Sequence, residues 1–248
     1  MDKDLFIEVA SLIRKARYCM AFTGAGISVE SGIPPFRGEN SIWSRYDPHI
    51  LELDYFRTRP EESWPVVREI FYDFFGKAKP NKAHQVLARM EAAGMLKCVV
   101  TQNIDNLHQE AGSKVVYEFH GNAQKLICLG CKDRISAADA DFSVMPLRCK
   151  KCGGLMKPDF VFFGESIPEK AYADSLEAAR KADVCLIMGS TGEVMPAALI
   201  PQEARRNGAV VIEVNPEDSH FTRDVTHIHL TGKAGEVMAA LEPLLFDA

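Results

Sequence analysis

Lys97-Cys98-Val99-Val100-Thr101-Gln102-Asn103-Ile104-Asp105 and, after a short helical segment, Val115-Val116-Tyr117-Glu118-Phe119-His120-Gly121 form the stretch that decides the fold. Each half is a run of β-branched and apolar residues that stops abruptly at polar ones, as a strand buried on both faces does at the edge of its sheet. Two strand ends in succession deliver an amide pair, a carboxylate and an imidazole to one edge. Ligands of open α/β sheets sit outside the carboxyl ends of the strands, so these groups form a candidate site. A plainer reading stands beside it: Asn and Asp also cap helices that follow strands, and a single histidine is often only a packed, hydrogen-bonded ring.

Outward from this stretch the chain alternates strand and helix. On the N-terminal side an amphipathic helix ends near Arg17, Tyr18 to Phe22 reads as a strand, and Asn81 to Gly94 as a helix with a Pro80-Asn81 start and a glycine stop. On the C-terminal side strands are expected at Phe160 to Phe163, Val184 to Met188 and Ala209 to Val214. Helices are expected at Pro168 to Lys181, Pro196 to Asn207 and Ala234 to Leu245. This order implies an α/β fold with a doubly wound parallel sheet. Two stretches break the alternation. Residues 37–79 are rich in proline, aromatic residues and mixed charge, with a helix expected from Glu61 to Phe75. Residues 123–157 carry four cysteines. The expected division is a large domain of residues 1–36, 80–122 and 158–248, with 37–79 and 123–157 inserted as a small one.

With 248 residues the chain can bury a large core without disulfides. Its composition, 47% hydrophobic and 25% charged, is that of a globular protein, and a net charge of -5 argues against nucleic acid as a direct ligand. No apolar run reaches the ~20 residues of a membrane span, and Met1-Asp2-Lys3-Asp4 does not resemble a signal peptide. The expected location is cytoplasmic, with no membrane partner.

The cysteines carry the strongest local signal. Cys128-x2-Cys131 and Cys149-x2-Cys152 are two knuckles at ribbon spacing, with Gly130, Gly153 and Gly154 to permit tight turns. Four thiolates can surround one Zn²⁺ tetrahedrally and leave no open position, which makes the expected metal structural. Cys19, Cys98 and Cys185 lie inside apolar runs and read as small buried hydrophobes. Gly24-Ala25-Gly26-Ile27-Ser28 follows a strand, and its glycines would let backbone N–H groups approach a phosphate. Val29 stands where a dinucleotide fingerprint has its third glycine, so a simple tight turn is the alternative. Gly189-Ser190-Thr191-Gly192-Glu193 and Asn215 end two further strands on the same edge. The other histidines, among them His84 and His108, show no sequence clustering that suggests a second metal.

Taken in order, these segments resemble the sirtuins, the NAD-dependent protein deacylases. The matches are Gly24-Ala25-Gly26-Ile27-Ser28, Gly32-Ile33-Pro34 with Phe36-Arg37-Gly38, Thr101-Gln102-Asn103-Ile104-Asp105, His120-Gly121, the four cysteines, Phe163-Gly164-Glu165, Gly189-Ser190 and Asn215. The resemblance implies a compact prokaryotic-type member: a Rossmann-like domain binding NAD as co-substrate, a small domain of helical insert and zinc ribbon, and an active site between them. It implies NAD contacts at Gly24, Ala25, Gly26, Arg37, Gly189, Ser190, Thr191, Asn215, Glu217, Lys233 and Ala234. Ser28, Asn103, Ile104 and Asp105 would form the nicotinamide pocket, Gln102 would meet the ribose, and Phe36 would close over it. His120 would be the general base, with Asn103 and Asp105 also catalytic. Val161, Phe162, Phe163, Gly164 and Glu165, opposite Val194, would bind an extended acyl-lysine peptide or protein. The implied products are nicotinamide, free lysine and O-acyl-ADP-ribose. Members that prefer succinyl or malonyl groups carry a Tyr-x-x-Arg pair whose positions fall on Val67 and Ile70 here, which implies acetyl or longer apolar acyl groups and little desuccinylation. Two departures are Gly192-Glu193, where many members have a hydrophobic pair, and Pro35, where Asp or Thr is common.

Overall fold

The computed structural model describes residues 2–35 and 41–247. Its chain order is α1 (Lys3–Lys15), β1 (Cys19–Thr23), α2 (Leu53–Thr58), α3 (Pro60–Arg68), α4 (Lys82–Ala92), β2 (Leu96–Thr101), α5 (Leu107–Ala111), β3 (Val116–Glu118), β4 (Gly121–Cys128), β5 (Arg134–Ser136), β6 (Met156–Phe160), α6 (Glu169–Lys181), β7 (Val184–Met188), α7 (Leu199–Arg206), β8 (Val210–Asn215), β9 (Ile228–Thr231) and α8 (Ala234–Phe246). Six strands form a parallel sheet in the order β3-β2-β1-β7-β8-β9, and β5-β4-β6 form a separate antiparallel sheet. This is the doubly wound α/β architecture expected, with the strand order reversing between β1 and β7.

The central strands show why both faces are covered. In β1, Cys19 and Ala21 join the core under α1, α4 and α8, while Met20 and Phe22 join the core under α6 and α7. The same division recurs in β7, with Val184, Leu186 and Met188 on the first face and Cys185 and Ile187 on the second. Successive side chains point to opposite faces, so a continuous apolar run is what a doubly covered strand requires. Cys19, Cys98 and Cys185 are buried in these strands as expected. Helix α4 begins where Pro80-Asn81 predicts: the Asn81 side chain accepts from Ala83 N–H at 2.9 Å, and His84 completes a reciprocal capping box.

A third core joins the two irregular stretches. Phe56, Trp64, Val67, Ile70 and Phe71 from the helical stretch pack with Leu126, Leu147, Leu155, Met156, Phe160 and Phe162 around the cysteine segment. Trp64 donates its indole N–H to the Met156 carbonyl at 3.0 Å, which ties α3 to β6.

Several elements differ from expectation, α2, β4 and β5 among them as additions. The helix expected from Glu61 to Phe75 is α3 as far as Arg68, and a wider π-helical turn takes over at Glu69. The strand expected at Phe160 to Phe163 lies earlier, at β6, and pairs antiparallel with β4 rather than entering the parallel sheet. Its Pro158 is tolerated because β6 is an edge strand. Strand β9 was not expected. Its core residue Leu230 stands among histidines and threonines, so the stretch carries little apolar signal. Among the described residues no helix is long and apolar enough to cross a membrane.

Candidate active site

At the reversal point the loops after β1 and β7 cross in close contact. Gly24 N–H donates to Met188 O at 3.0 Å and Gly26 N–H to Gly189 O at 2.8 Å. A Cβ on Gly24 would stand 2.7 Å from Gly189 O, one on Gly26 2.6 Å from Gly189 Cα, and one on Gly189 2.2 Å from Ile27 N. Gly189 also has a φ of +62°. The three glycines are therefore required by each other, which is a different reason from the phosphate approach read in the sequence. Ala25 opens the single 3₁₀ segment Ala25–Ser31 that follows. Its turn carries Ser28 back beneath the crossing.

Ser28 is fully buried and sits at the centre of a polar network. Its hydroxyl donates to Asp105 Oδ2 at 2.6 Å and accepts from Asn103 Nδ2 at 3.2 Å. Asn103 Nδ2 also reaches Gly24 O at 3.1 Å, and Asp105 Oδ1 accepts Leu107 N–H at 3.0 Å. Asp105 thus stands one residue before the N-cap of α5, Asn106, taking the first N–H of the helix with one oxygen and Ser28 with the other. Burial pushes the Asp105 carboxyl above the usual carboxylate range, against the opposing pull of Ser28 and the Leu107 N–H. Ile104 is buried beside it, and its carbonyl accepts Ala123 N–H at 3.0 Å.

Two histidines that the sequence left unassigned lie behind this pocket. His84 Nδ1 accepts Asn81 N–H at 3.3 Å, which puts its proton on Nε2, 3.5 Å from Ser28 Oγ. The His108 ring lies 4.8 Å from that of His84, and its Nε2 is 2.9 Å from Thr23 Oγ1. Thr23 in turn donates to Thr101 Oγ1 at 2.8 Å, and Thr101 Oγ1 accepts Asn103 N–H. Burial lowers the pKa of His84 to about 4 and that of His108 well below its ordinary value, so both rings are neutral supports. The only sequence signal for His84 was its place three residues after the Asn81 cap.

His120 stands at the end of β3. Its Nδ1 lies 3.0 Å from Gln102 O, an acceptor, so Nδ1 carries the proton and Nε2 presents the lone pair. Burial lowers its pKa, with the Gln102 bond working the other way. The Gln102 side chain donates to Ser190 Oγ at 2.9 Å, linking the β2 and β7 ends. Gly121 has a φ of +79°, and a Cβ there would lie 2.3 Å from Asp159 O. The end of β6 passes that closely, and Val161 N–H then donates to His120 O at 2.8 Å.

On the far side Asn215 donates to Ser190 O at 3.1 Å and to Glu213 Oε1 at 2.7 Å. Burial raises the Glu213 carboxyl, but donors on Ser219, Thr226, Asn215 and Thr222 outweigh that and hold it low. Glu213 was not foreseen; a carboxylate inside an apolar strand was its signal. Thr191 O accepts His220 N–H at 2.9 Å. Glu217 is exposed after β8, Lys233 is the N-cap of α8, and Ala234 is buried as its first residue. Phe36 and Arg37 lie outside the described residues.

Of the expected peptide segment, Phe162 is buried against Phe56 and Phe160, whereas Phe163 is exposed. Phe163 N–H donates to Leu51 O at 2.9 Å and its carbonyl accepts Leu53 N–H at 3.0 Å. Val161 and Glu165 are partly buried, and Gly164 turns with a φ of +89°. Val194 is partly buried beside the exposed Met195, and Glu193 lies 3.5 Å from His220.

Cys128, Cys131, Cys149 and Cys152 place their sulfurs within 4.8 Å of one another, with Cys128 to Cys152 at 3.5 Å and Cys131 to Cys149 at 3.7 Å. A tetrahedron with Zn–S bonds of about 2.3 Å has edges of about 3.8 Å, so the residues fit one zinc ion. Cys131, Lys151 and Gly154 N–H groups point at Cys128, Cys149 and Cys152 sulfurs at 3.4 Å each, as donors to thiolates do. A Cβ on Gly154 would lie 2.9 Å from Cys128 Sγ and crowd the cradle.

A doubly wound sheet with a buried amide–carboxylate network at its reversal point and a four-cysteine ribbon defines a Rossmann-like protein with an inserted zinc module. The chain belongs to the Sir2 family, whose sequence profile matches residues 24–196. It is 43% identical to the NAD-dependent protein deacylase of Pyrococcus furiosus over 244 residues, 94% of this chain and 95% of that protein. The solved structure of a Sir2 homologue–NAD complex matches with a TM-score of 0.90 at 36% identity, covering 100% of this chain and 94% of that one. A Sir2 structure with deacetylated p53 peptide and 3′-O-acetyl ADP-ribose matches with a TM-score of 0.88 at 34% identity, covering 94% and 96%.

Proposed function

We propose that the chain removes acyl groups from protein lysines in an NAD-dependent reaction. The observation that carries this reading is the tautomer of His120: the carbonyl of Gln102, the residue before Asn103, takes the Nδ1 proton and leaves Nε2 a lone pair. Nicotinamide would leave NAD as the acyl carbonyl oxygen bonds to the ribose carbon it vacates, and water would then release the lysine amine while the acyl group stays on ADP-ribose. Asn103 and Asp105, locked by Ser28, would hold the leaving carboxamide, with the Ile104 backbone beside them. Gln102, fixed by Ser190, would orient the adjoining ribose. Gly24, Ala25, Gly26, Gly189, Thr191, Asn215, Glu217, Lys233 and Ala234 would hold the rest of the dinucleotide. His120 Nε2 would accept a ribose hydroxyl proton, a role in which a neutral ring at neutral pH is required; general-base help is typically worth about 10²–10⁴ in rate. The segment Val161 to Glu165 and the Val194 loop would seat an acyl-lysine peptide, with residues 37–79 and 123–157 as the small domain walling the cleft.

Acyl preference follows from the helical stretch. Val67 and Ile70 are buried and apolar, and Arg68 is committed to Phe142 O at 2.9 Å and Asp73 at 3.2 Å. No cation is offered to a dicarboxylate at those positions, so acetyl or longer apolar groups are favoured. A succinyl-peptide rate matching the acetyl rate would refute this.

The deciding experiment measures nicotinamide release from NAD with and without an acetyl-lysine peptide. Release is expected only with the peptide, with stoichiometric deacylated product. Equal release without it would refute this reading, and label from NAD retained on protein would replace it with ADP-ribosyl transfer.

A further inference from the structure

Lys157 is a buried lysine that this chemistry does not use. Its side chain is 3% exposed, and its ammonium donates to three acceptors: Pro158 O at 2.8 Å, Phe160 O at 2.6 Å and Glu165 Oε2 at 2.8 Å. It also lies 4.1 Å from the centroid of the Phe162 ring. An ammonium has three N–H donors, so its hydrogen-bonding capacity is filled. Glu165 Oε2 accepts Phe162 N–H at 2.8 Å as well. The chain from residue 158 to 165 thus wraps round one cation, which contacts its carbonyls, its ring and its closing carboxylate. A charge this deeply buried persists only when paired, so Glu165 has no equivalent replacement among neutral residues.

The two ends of this wrapped segment lead to different places. Lys157 pairs with Ile127 in the β4–β6 ladder, and its neighbour Met156 pairs with Cys128, a cysteine of the ribbon. Beyond the cation, Val161 N–H is bonded to the carbonyl of His120, and Phe163 is bonded on both sides to Leu51 and Leu53. We propose that Lys157 is a positioning residue that transmits the geometry of the cysteine ribbon to the peptide-seating segment 161–165 through its ion pair with Glu165. Without that pair the backbone bonds at Val161 and Phe163 and the Glu165 N–H to Phe162 O at 3.0 Å remain, with the exposed Gly164 as the turn between them.

The proposal rests on the deacylase reading for its kinetic arm but not for its exchange arm. In the kinetic arm, Lys157→Met should raise the acetyl-peptide KM by about tenfold or more while the NAD KM stays within about twofold, and Lys157→Arg should restore most of the loss. In the exchange arm, amide hydrogen exchange at Phe162 to Glu165 should quicken in Lys157→Met and in Glu165→Gln while β1, β2 and β7 stay protected. Zinc chelation should quicken the same amides in the wild type, together with those of β4 and β6. Unchanged exchange at these amides in either variant, or in the wild type after chelation, would overturn the proposal. So would equal rises in both KM values, which would mark a general loss of fold. A wild type that lacks peptide-dependent nicotinamide release yet gives the expected exchange pattern would overturn the deacylase reading and leave Lys157 as the tie.

Discussion

At the scale of single residues, the site is a set of decisions about where protons sit. His120 is neutral because burial disfavours its charged form, and its Nδ1 proton is assigned by Gln102 O. Its pKa is lowered, so the acid limb of the peptide-dependent rate should fall below the ordinary histidine value rather than at it. A limb at or above pH ~6.5 would contradict that. His120→Ala should lower turnover by about 10²–10⁴ without altering the melting temperature. His84 makes the opposite kind of statement, one about stability. Its native pKa is about 4 against 6.5 in the unfolded chain, so between those values the unfolded state binds a proton the native state refuses. Stability is then full above pH 6.5 and is lost as pH falls toward 4, by about 3 kcal/mol for this ring. Asp105, held up by burial, has the contrary slope, so the check is a difference: the acid loss in Tm should be smaller in His84→Gln than in the wild type. None of this was visible for His84 in the sequence, because it meets Ser28 only through the packing of α4 against the 3₁₀ segment.

At the scale of elements, the glycine crossing decides the shape of the site. Gly189→Ala should be among the most damaging single-methyl changes in the chain. The φ of +62° carries a strain of about 1–3 kcal/mol for a residue with a Cβ, and the added carbon would strike Ile27 N at 2.2 Å. The loops must part, which moves Ser28 away from Asp105. A melting temperature lowered by several degrees together with weakened NAD binding is expected, and wild-type binding would show that the crossing is not what shapes the pocket. The same elements show what a sequence can and cannot reveal. The strand-to-polar transition at Thr101-Gln102-Asn103 and the continuous apolar run Val184 to Met188 are local patterns, so the doubly wound sheet and its edge were legible. The reason for the glycines was not, because it is a contact between Gly26 and Gly189 across the reversal point. Strand β6 was misplaced for a related cause: Lys157 and Asp159 look like surface residues until Glu165 and Arg134 are seen to pair with them.

For the whole molecule, the three cores assign the zinc site its consequence. Two of them are the faces of the parallel sheet and contain no residue of the cysteine segment. The third is built mainly by the helical stretch and the ribbon, with Cys128 and Cys149 among its buried members and Ile33, Ile104 and Leu107 joining it from outside them. Binding of one zinc by four thiolates contributes an apparent ~10–16 kcal/mol in small modules, more than the few apolar side chains of the ribbon could supply. Chelation should therefore dissolve the third core while the parallel sheet survives. The expected result is a partial loss of ellipticity, exposure of Trp64, whose indole is bonded to Met156 O, and loss of peptide-dependent activity. Dinucleotide binding should fall less than peptide binding, because the glycine crossing and the Asn215–Glu213 pair lie wholly within the sheet domain, whereas segment 161–165 hangs from β6. Metal-free protein that keeps both its tryptophan environment and its full turnover would show that the third core stands without the metal, and that the ribbon is an appendage rather than a wall of the cleft.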